Sequence, residues 1–118
     1  MSESVNVARL REATLDDAEF MGELVEMFLT DVADQLVSLE RAIASADWPS
    51  TSRTAHRLRG ASSNVGAEEL ARLCSDLEHR SAEAGAVEIS AGAGIREEFE
   101  RVTSALQDCV LQAKSEGR

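Results

Sequence analysis

Tyrosine is missing from this 118-residue chain, and three phenylalanines and one tryptophan are all the aromatic surface it has. A core must therefore be built from Leu, Val, Ile, Ala and Met, a set that suits helices better than sheets. Proline occurs once, at Pro49. The two cysteines, Cys74 and Cys109, stand far apart and form no C-x-x-C pair. They offer neither a redox motif nor a zinc site, and both are expected as small core residues. No apolar signal segment opens the chain and no apolar run is long enough to span a bilayer, so a soluble, cytoplasmic protein without membrane contact is expected. No G-x-x-x-x-G-K-[ST] element or glycine-rich nucleotide loop is present, which excludes ATP binding by this chain. Positive charge is also scarce: 12 Lys and Arg stand against 22 Asp and Glu, a formal charge of −10. Nucleic acid is excluded as a partner, because phosphate backbones require clustered cations and a positive field.

The length fits one domain with its own core, and a monomer is expected. Residues 1–13 carry only Val5, Val7 and Leu10 as apolar anchors and read as an N-terminal arm or a short helix across the bundle, with the first few residues mobile. Thr14-Leu15-Asp16-Asp17 has the form of an N-cap followed by an acid, and residues 14–114 read as the main domain. Leu24, Phe28, Val32, Leu36, Leu39 and Ile43 recur at helical spacing, widened by Met21, Val25 and Leu29, up to about Ala46. Asp47-Trp48-Pro49-Ser50 supplies a stop and a new start, opening a helix from about Pro49 to Asn64. Gly66 can end that helix in the left-handed conformation, and Ala67-Glu68-Glu69 begins the next with acids in its first turn. This third helix carries Leu70, Leu73, Cys74 and Leu77 on one face and ends near Ala84-Gly85. A loose link over 86–94 then leads to a helix marked by Ile95, Phe99, Val102, Leu106 and Val110. Four apolar-striped helices with short links predict an all-α, antiparallel four-helix bundle with a short extra N-terminal element.

One stretch departs from the acidic background. Between Asp47 and Glu68 there is no acidic residue, while Arg53, Arg57 and Arg59 surround His56. At about 100° per residue, Ala55, Leu58, Ser62 and Val65 fall on the side opposite His56, while Arg53, Gly60, Ser52, Arg59 and Ser63 lie within roughly 60° of it. The apolar stripe points away from the imidazole, so the histidine is predicted to face solvent.

Histidine is the side chain whose ordinary pKa, about 6.5, leaves a neutral, nucleophilic ring nitrogen at cellular pH without an activating base. A phosphoryl group placed on it would bring roughly −1.5 to −2 charges, which Arg59 and Arg53, a turn to either side, can meet. Gly60 is an odd choice inside a helix, where glycine costs about 1 kcal/mol against alanine. Its missing side chain leaves room for another protein to approach the imidazole, although close helix packing would also explain it. Glu78 falls at the edge of the third helix's apolar stripe, where it either orients His56 or is an ordinary surface glutamate. His79 points the other way and reads as a solvated bystander.

Ala55-His56-Arg57-Leu58-Arg59-Gly60, followed by Ser62-Ser63, Gly66-Ala67, Leu70, Leu73-Cys74 and Leu77-Glu78, resembles the histidine-containing phosphotransfer (HPt) signature of phosphorelay proteins. The likeness extends upstream through Phe28, Asp31, Leu36, Leu39, Ala42 and Asp47 and covers roughly residues 16–112. It implies that His56 is the phosphoacceptor, that Arg59 stands where the family usually has lysine, and that Glu78 lies near the imidazole. Gly60, Arg53, Ser63 and Arg57 are then the expected docking surface. The implied partners are response-regulator receiver domains and a sensor or hybrid histidine kinase. No cofactor is expected on this chain, any Mg²⁺ being held in the receiver's acidic pocket. Two other readings fit the same residues: a phosphoacceptor domain served directly by a separate chemotaxis-type kinase module, and a helical adaptor with a silent histidine.

Overall fold

A computed structural model describes residues 4–83, 87 and 90–117. Its helices are α1 (Val7–Ala13), α2 (Ala18–Ala44), α3 (Trp48–Asn64), α4 (Glu68–Ala82) and α5 (Ser90–Ser115), with no strand among the described residues. Helices α2 to α5 form the bundle, each packed mainly on its two neighbours in the cyclic order α2, α3, α4, α5. The molecule is a rod of 50 × 27 × 19 Å, as helices of 26 and 27 residues require. No described helix is long and apolar enough to cross a membrane.

The apolar stripes read from the sequence meet at the bundle axis. Val32, Leu36 and Leu39 of α2, Leu58 of α3, Leu70 and Cys74 of α4, and Val102 and Leu106 of α5 are all buried. Burial pushes the Cys74 thiol up to about 12, so it stays protonated and inert. Cys109 is only partly buried, unlike the full core position expected for it. Phe28 and Phe99 meet across the α2–α5 seam with ring centroids 6.3 Å apart. The same seam is tied by a bidentate pair, Arg96 Nε to Glu40 Oε2 at 2.6 Å and Nη2 to Oε1 at 2.7 Å. That hydrogen bonding holds the Glu40 carboxyl below the usual carboxylate range. Buried hydroxyls are satisfied locally: Thr51, Ser62 and Ser81 each donate to the carbonyl four residues earlier.

Several boundaries differ from the sequence reading. Thr14 does not open α2; it closes α1, with its buried Oγ1 donating to the Leu10 carbonyl at 2.9 Å. Asp17 is the cap of α2, accepting from the Phe20 amide. Leu15 and Asp16 between them take the left-handed conformation, φ 55° and 57°, which turns the chain sharply enough for α1 to lie against the bundle. The arm is thus an ordered helix from Val7, with Leu10 fully buried. Helix α2 ends at Ala44 rather than Ala46, whose own φ is positive. Asp47 caps α3, so that helix starts at Trp48, with Pro49 in its first turn. Residues 90–94, read as part of a loose link, already belong to α5. The expectations for the first three residues, for 84–86 and for 88–89 fall outside the described residues.

At one end of the rod the N-terminal segment braces the α3–α4 turn. Asn6 donates its amide to the Gly66 carbonyl at 2.7 Å and its side-chain amide to Glu68 Oε1 at 2.8 Å. Arg9 Nε reaches the Ser63 carbonyl at 2.9 Å. Gly66 has φ 77°, and a Cβ there would sit 2.6 Å from the Asn6 carbonyl oxygen. Glycine is required here twice over, by the backbone dihedral and by the crossing chain.

Candidate functional site

The turn at Gly66 sends α4 back along α3, so residues equally distant from it come level. His56 and Glu78 stand eleven residues to either side of Ala67, and they meet, His56 Nδ1 lying 2.8 Å from Glu78 Oε2. The imidazole is 61% exposed and the Glu78 side chain 24% exposed, so an open ring leans on a half-sheltered carboxylate. Burial of Ala55, Leu58 and Ser62 on the opposite side of α3 fixes the rotation of the helix and keeps His56 outside.

Arg59 completes the group. Its Nη2 is 3.0 Å from His56 Nδ1, and its Nε is 3.4 Å from Glu78 Oε1. The second contact is an ion pair without hydrogen-bond geometry, and Nε has no hydrogen-bond partner. Nδ1 cannot serve both neighbours in one tautomer. A carboxylate only accepts, so a 2.8 Å approach to Glu78 requires the proton on Nδ1. Nδ1–H then cannot accept from Arg59, whose attraction runs to the Glu78 charge instead. This tautomer leaves the Nε2 lone pair directed away from Glu78, the state a nucleophilic imidazole needs.

The remaining expected residues are distributed around this centre. Gly60 is exposed, and a Cβ built on it meets nothing within 4 Å. Close helix packing therefore does not explain it; the surface there is open. Arg53 is exposed and donates to Ser50 Oγ at 3.1 Å, toward the N-terminus of α3. Arg57 lies on the α2 flank of α3, in a hollow it shares with Arg53 and Arg41. Ser63 is half-buried, its carbonyl taken by Arg9. His79 is exposed and bonded through Nδ1 to the Ser75 carbonyl, away from the His56 group. The structure thus brings together His56, Arg59 and Glu78, and leaves Arg53, Arg57 and Ser63 at the periphery. Sequence reasoning missed Arg9 and Arg41. Arg9 had no local signal, whereas Arg41 was findable as a cation in the last turn of α2 facing the start of α3 across a short link. Among the described residues, no cluster of three or more His, Cys, Asp or Glu is arranged to hold a metal ion.

Three comparisons with known proteins bear on this geometry. The family model described as Hpt domain matches residues 23–115. Among solved structures, histidine-containing phosphotransfer protein B (HptB) from Pseudomonas aeruginosa PAO1 is similar, with a TM-score of 0.81 and 26% sequence identity. The match covers 95% of this chain and 98% of that one. No curated protein matches the sequence.

Proposed function

From the premise that this chain belongs to the Hpt domain family, whose members carry phosphoryl groups on histidine in two-component relays, we propose that His56 is its phosphoacceptor and receives the group from the aspartyl phosphate of a receiver domain. The observation that carries this reading is the exposed ring whose Nδ1 is held by Glu78, with Nε2 left open. In the transfer, the Nε2 lone pair forms the N–P bond while the P–O bond to the aspartyl oxygen breaks and the carboxylate leaves with the electron pair. The ring becomes an imidazolium still bonded through Nδ1–H to Glu78, whose negative charge offsets the new positive one. Arg59 is within reach of the incoming phosphoryl oxygens, and its grip on Glu78 is loose enough to be exchanged for them. Divalent metal would come with the receiver, and the reverse sequence returns the group to a second receiver aspartate. A monomer in the cytoplasm, meeting receivers and a sensor or hybrid kinase in turn, is the setting this reading implies.

Incubation with phosphorylated receivers tests it. The protein is expected to gain an acid-labile phosphate within minutes, in the absence of ATP and of any kinase core. Uptake only from a kinase core bearing ATP would replace the relay with the chemotaxis-type reading.

Glu78 is a positioning residue on this account. Glu78→Ala is expected to slow uptake about tenfold, the scale of losing one charge-assisted hydrogen bond. Glu78→Gln, which can still accept from Nδ1–H through its carbonyl but carries no charge, should recover part of the rate. If both variants take up phosphate at the wild-type rate, Glu78 does not hold the ring for transfer.

Gly60 tests access. Gly60→Gln is expected to raise thermal stability slightly, since helix propensity improves by up to about 1 kcal/mol and a Cβ at this exposed position meets nothing within 4 Å. Transfer should nevertheless fall at least about tenfold, the cost of displacing a docked partner by a fraction of a near-attack distance. Unchanged transfer kinetics would remove Gly60 from the docking surface.

A further inference from the structure

Away from Glu78, on the α2 flank of α3, lies an open hollow of about 400 Å³. Its lining includes Arg41 from the last turn of α2, Arg53 and Arg57 from successive turns of α3, and the hydroxyls of Ser38 and Thr54. Asp47 is the single carboxylate on its wall. Both Asp47 oxygens are engaged at the start of α3, Oδ1 accepting from the Ser50 amide at 3.2 Å and Oδ2 from the Ser50 hydroxyl at 2.8 Å. Arg53 leans the same way, onto Ser50 Oγ. Arg41 and Arg57 have no hydrogen bond or ion pair from their side chains among the described residues, and the Ser38 and Thr54 hydroxyls likewise donate to nothing there.

This is an unusual arrangement for a chain of charge −10, in which other arginines, such as Arg72, Arg80, Arg96 and Arg101, each hold an acid. Three exposed guanidiniums and one carboxylate leave the hollow with a net positive charge that an entering anion would offset, to the modest extent that solvent screening allows. Guanidinium forks and free hydroxyls match the oxygens of a phosphate group, and the volume is in the range of small-molecule sites. We propose that this hollow binds a phosphate-bearing anion, through Arg41, Arg53 and Arg57 with the Ser38 and Thr54 hydroxyls. The inference does not depend on transfer through His56, because Arg41, Ser38 and Thr54 are not part of that group.

The test is an amide-resolved NMR titration of the whole chain with inorganic phosphate at fixed ionic strength, chloride being the reference. A parallel titration uses glycerol 3-phosphate. Saturable shifts are expected at the amides around Ser38, Arg41, Ser50, Thr54 and Arg57. Arg41→Gln, a change at an exposed position, is expected to weaken binding roughly fivefold, the worth of one partly screened charge-assisted contact. Arg57→Gln should do the same, so the result does not hang on one variant. Tighter binding of the monoester would mark a phosphorylated metabolite as the occupant, and equal binding would mark the free ion; either supports the site. Non-saturating shifts, shifts centred on His56 and Arg59, or wild-type affinity in both variants would overturn it.

Discussion

His56→Gln is expected to take up no acid-labile phosphate at all from a phosphorylated receiver, a loss of at least about a thousandfold, because the nucleophile itself is removed. The glutamine amide nitrogen shares its lone pair with the carbonyl and does not attack phosphorus, so nothing at position 56 replaces Nε2. The fold should hardly notice. The side chain is 61% exposed, and surface substitutions of this kind stay within about 0.5 kcal/mol. Circular dichroism and melting close to wild type, beside absent labelling, would assign the defect to chemistry. Labelling at the wild-type rate would move the phosphoacceptor elsewhere, and intact signalling in cells carrying the variant would favour an adaptor that never uses the ring.

Gly66→Ala should show the opposite pattern, a large loss of stability with chemistry spared in the folded fraction. A left-handed alanine costs about 1–2 kcal/mol by itself. Its Cβ would stand 2.6 Å from the Asn6 carbonyl oxygen, which is backbone and has no rotamer to change. Either the N-terminal segment lifts, giving up the Asn6 and Arg9 hydrogen bonds and the burial of Val5 and Leu10, or the α3–α4 turn distorts. The combined cost is about 3 kcal/mol, and melting should fall by roughly 10 °C for a domain of this size. Gly60→Ala is the matched control, since its new Cβ meets nothing within 4 Å and melting should rise slightly. A fall of only about 5 °C at Gly66, the worth of the left-handed alanine alone, would mean that the N-terminal segment yields freely.

The contrast between these two glycines shows where local sequence stops being informative. Position in the chain already marks Gly66 as the left-handed end of α3 and Gly60 as a glycine inside a helix. Only the packed structure shows that a Cβ at Gly66 would also strike the Asn6 carbonyl oxygen, sixty residues earlier, while one at Gly60 meets nothing within 4 Å. Thr14 is a similar case. The pattern Thr-Leu-Asp-Asp is a sound N-cap in isolation, yet Thr14 became the end of α1 because Leu10 is drawn into the core and carries that helix to it. Glu98 shows the same limit: it is 3% exposed, with one oxygen on Arg101 and the other without a hydrogen bond, and neither fact is visible in the apolar periodicity of α5.

Residue type and spacing alone determined the all-helical class, the four main stripes, the outward face of His56 and the left-handed turn at Gly66. Those follow from helix periodicity and from glycine's backbone freedom, which act within a few residues. The tautomer of His56, the hold of Arg59 on Glu78, the bracing of the hairpin by residues 5–10 and the gathering of Arg41 with Arg57 were decided only in three dimensions. Each depends on which side chains distant in the chain are brought level when the helices pack, and hydrogen bonds and charges act over a few ångströms of space, not over positions in a sequence.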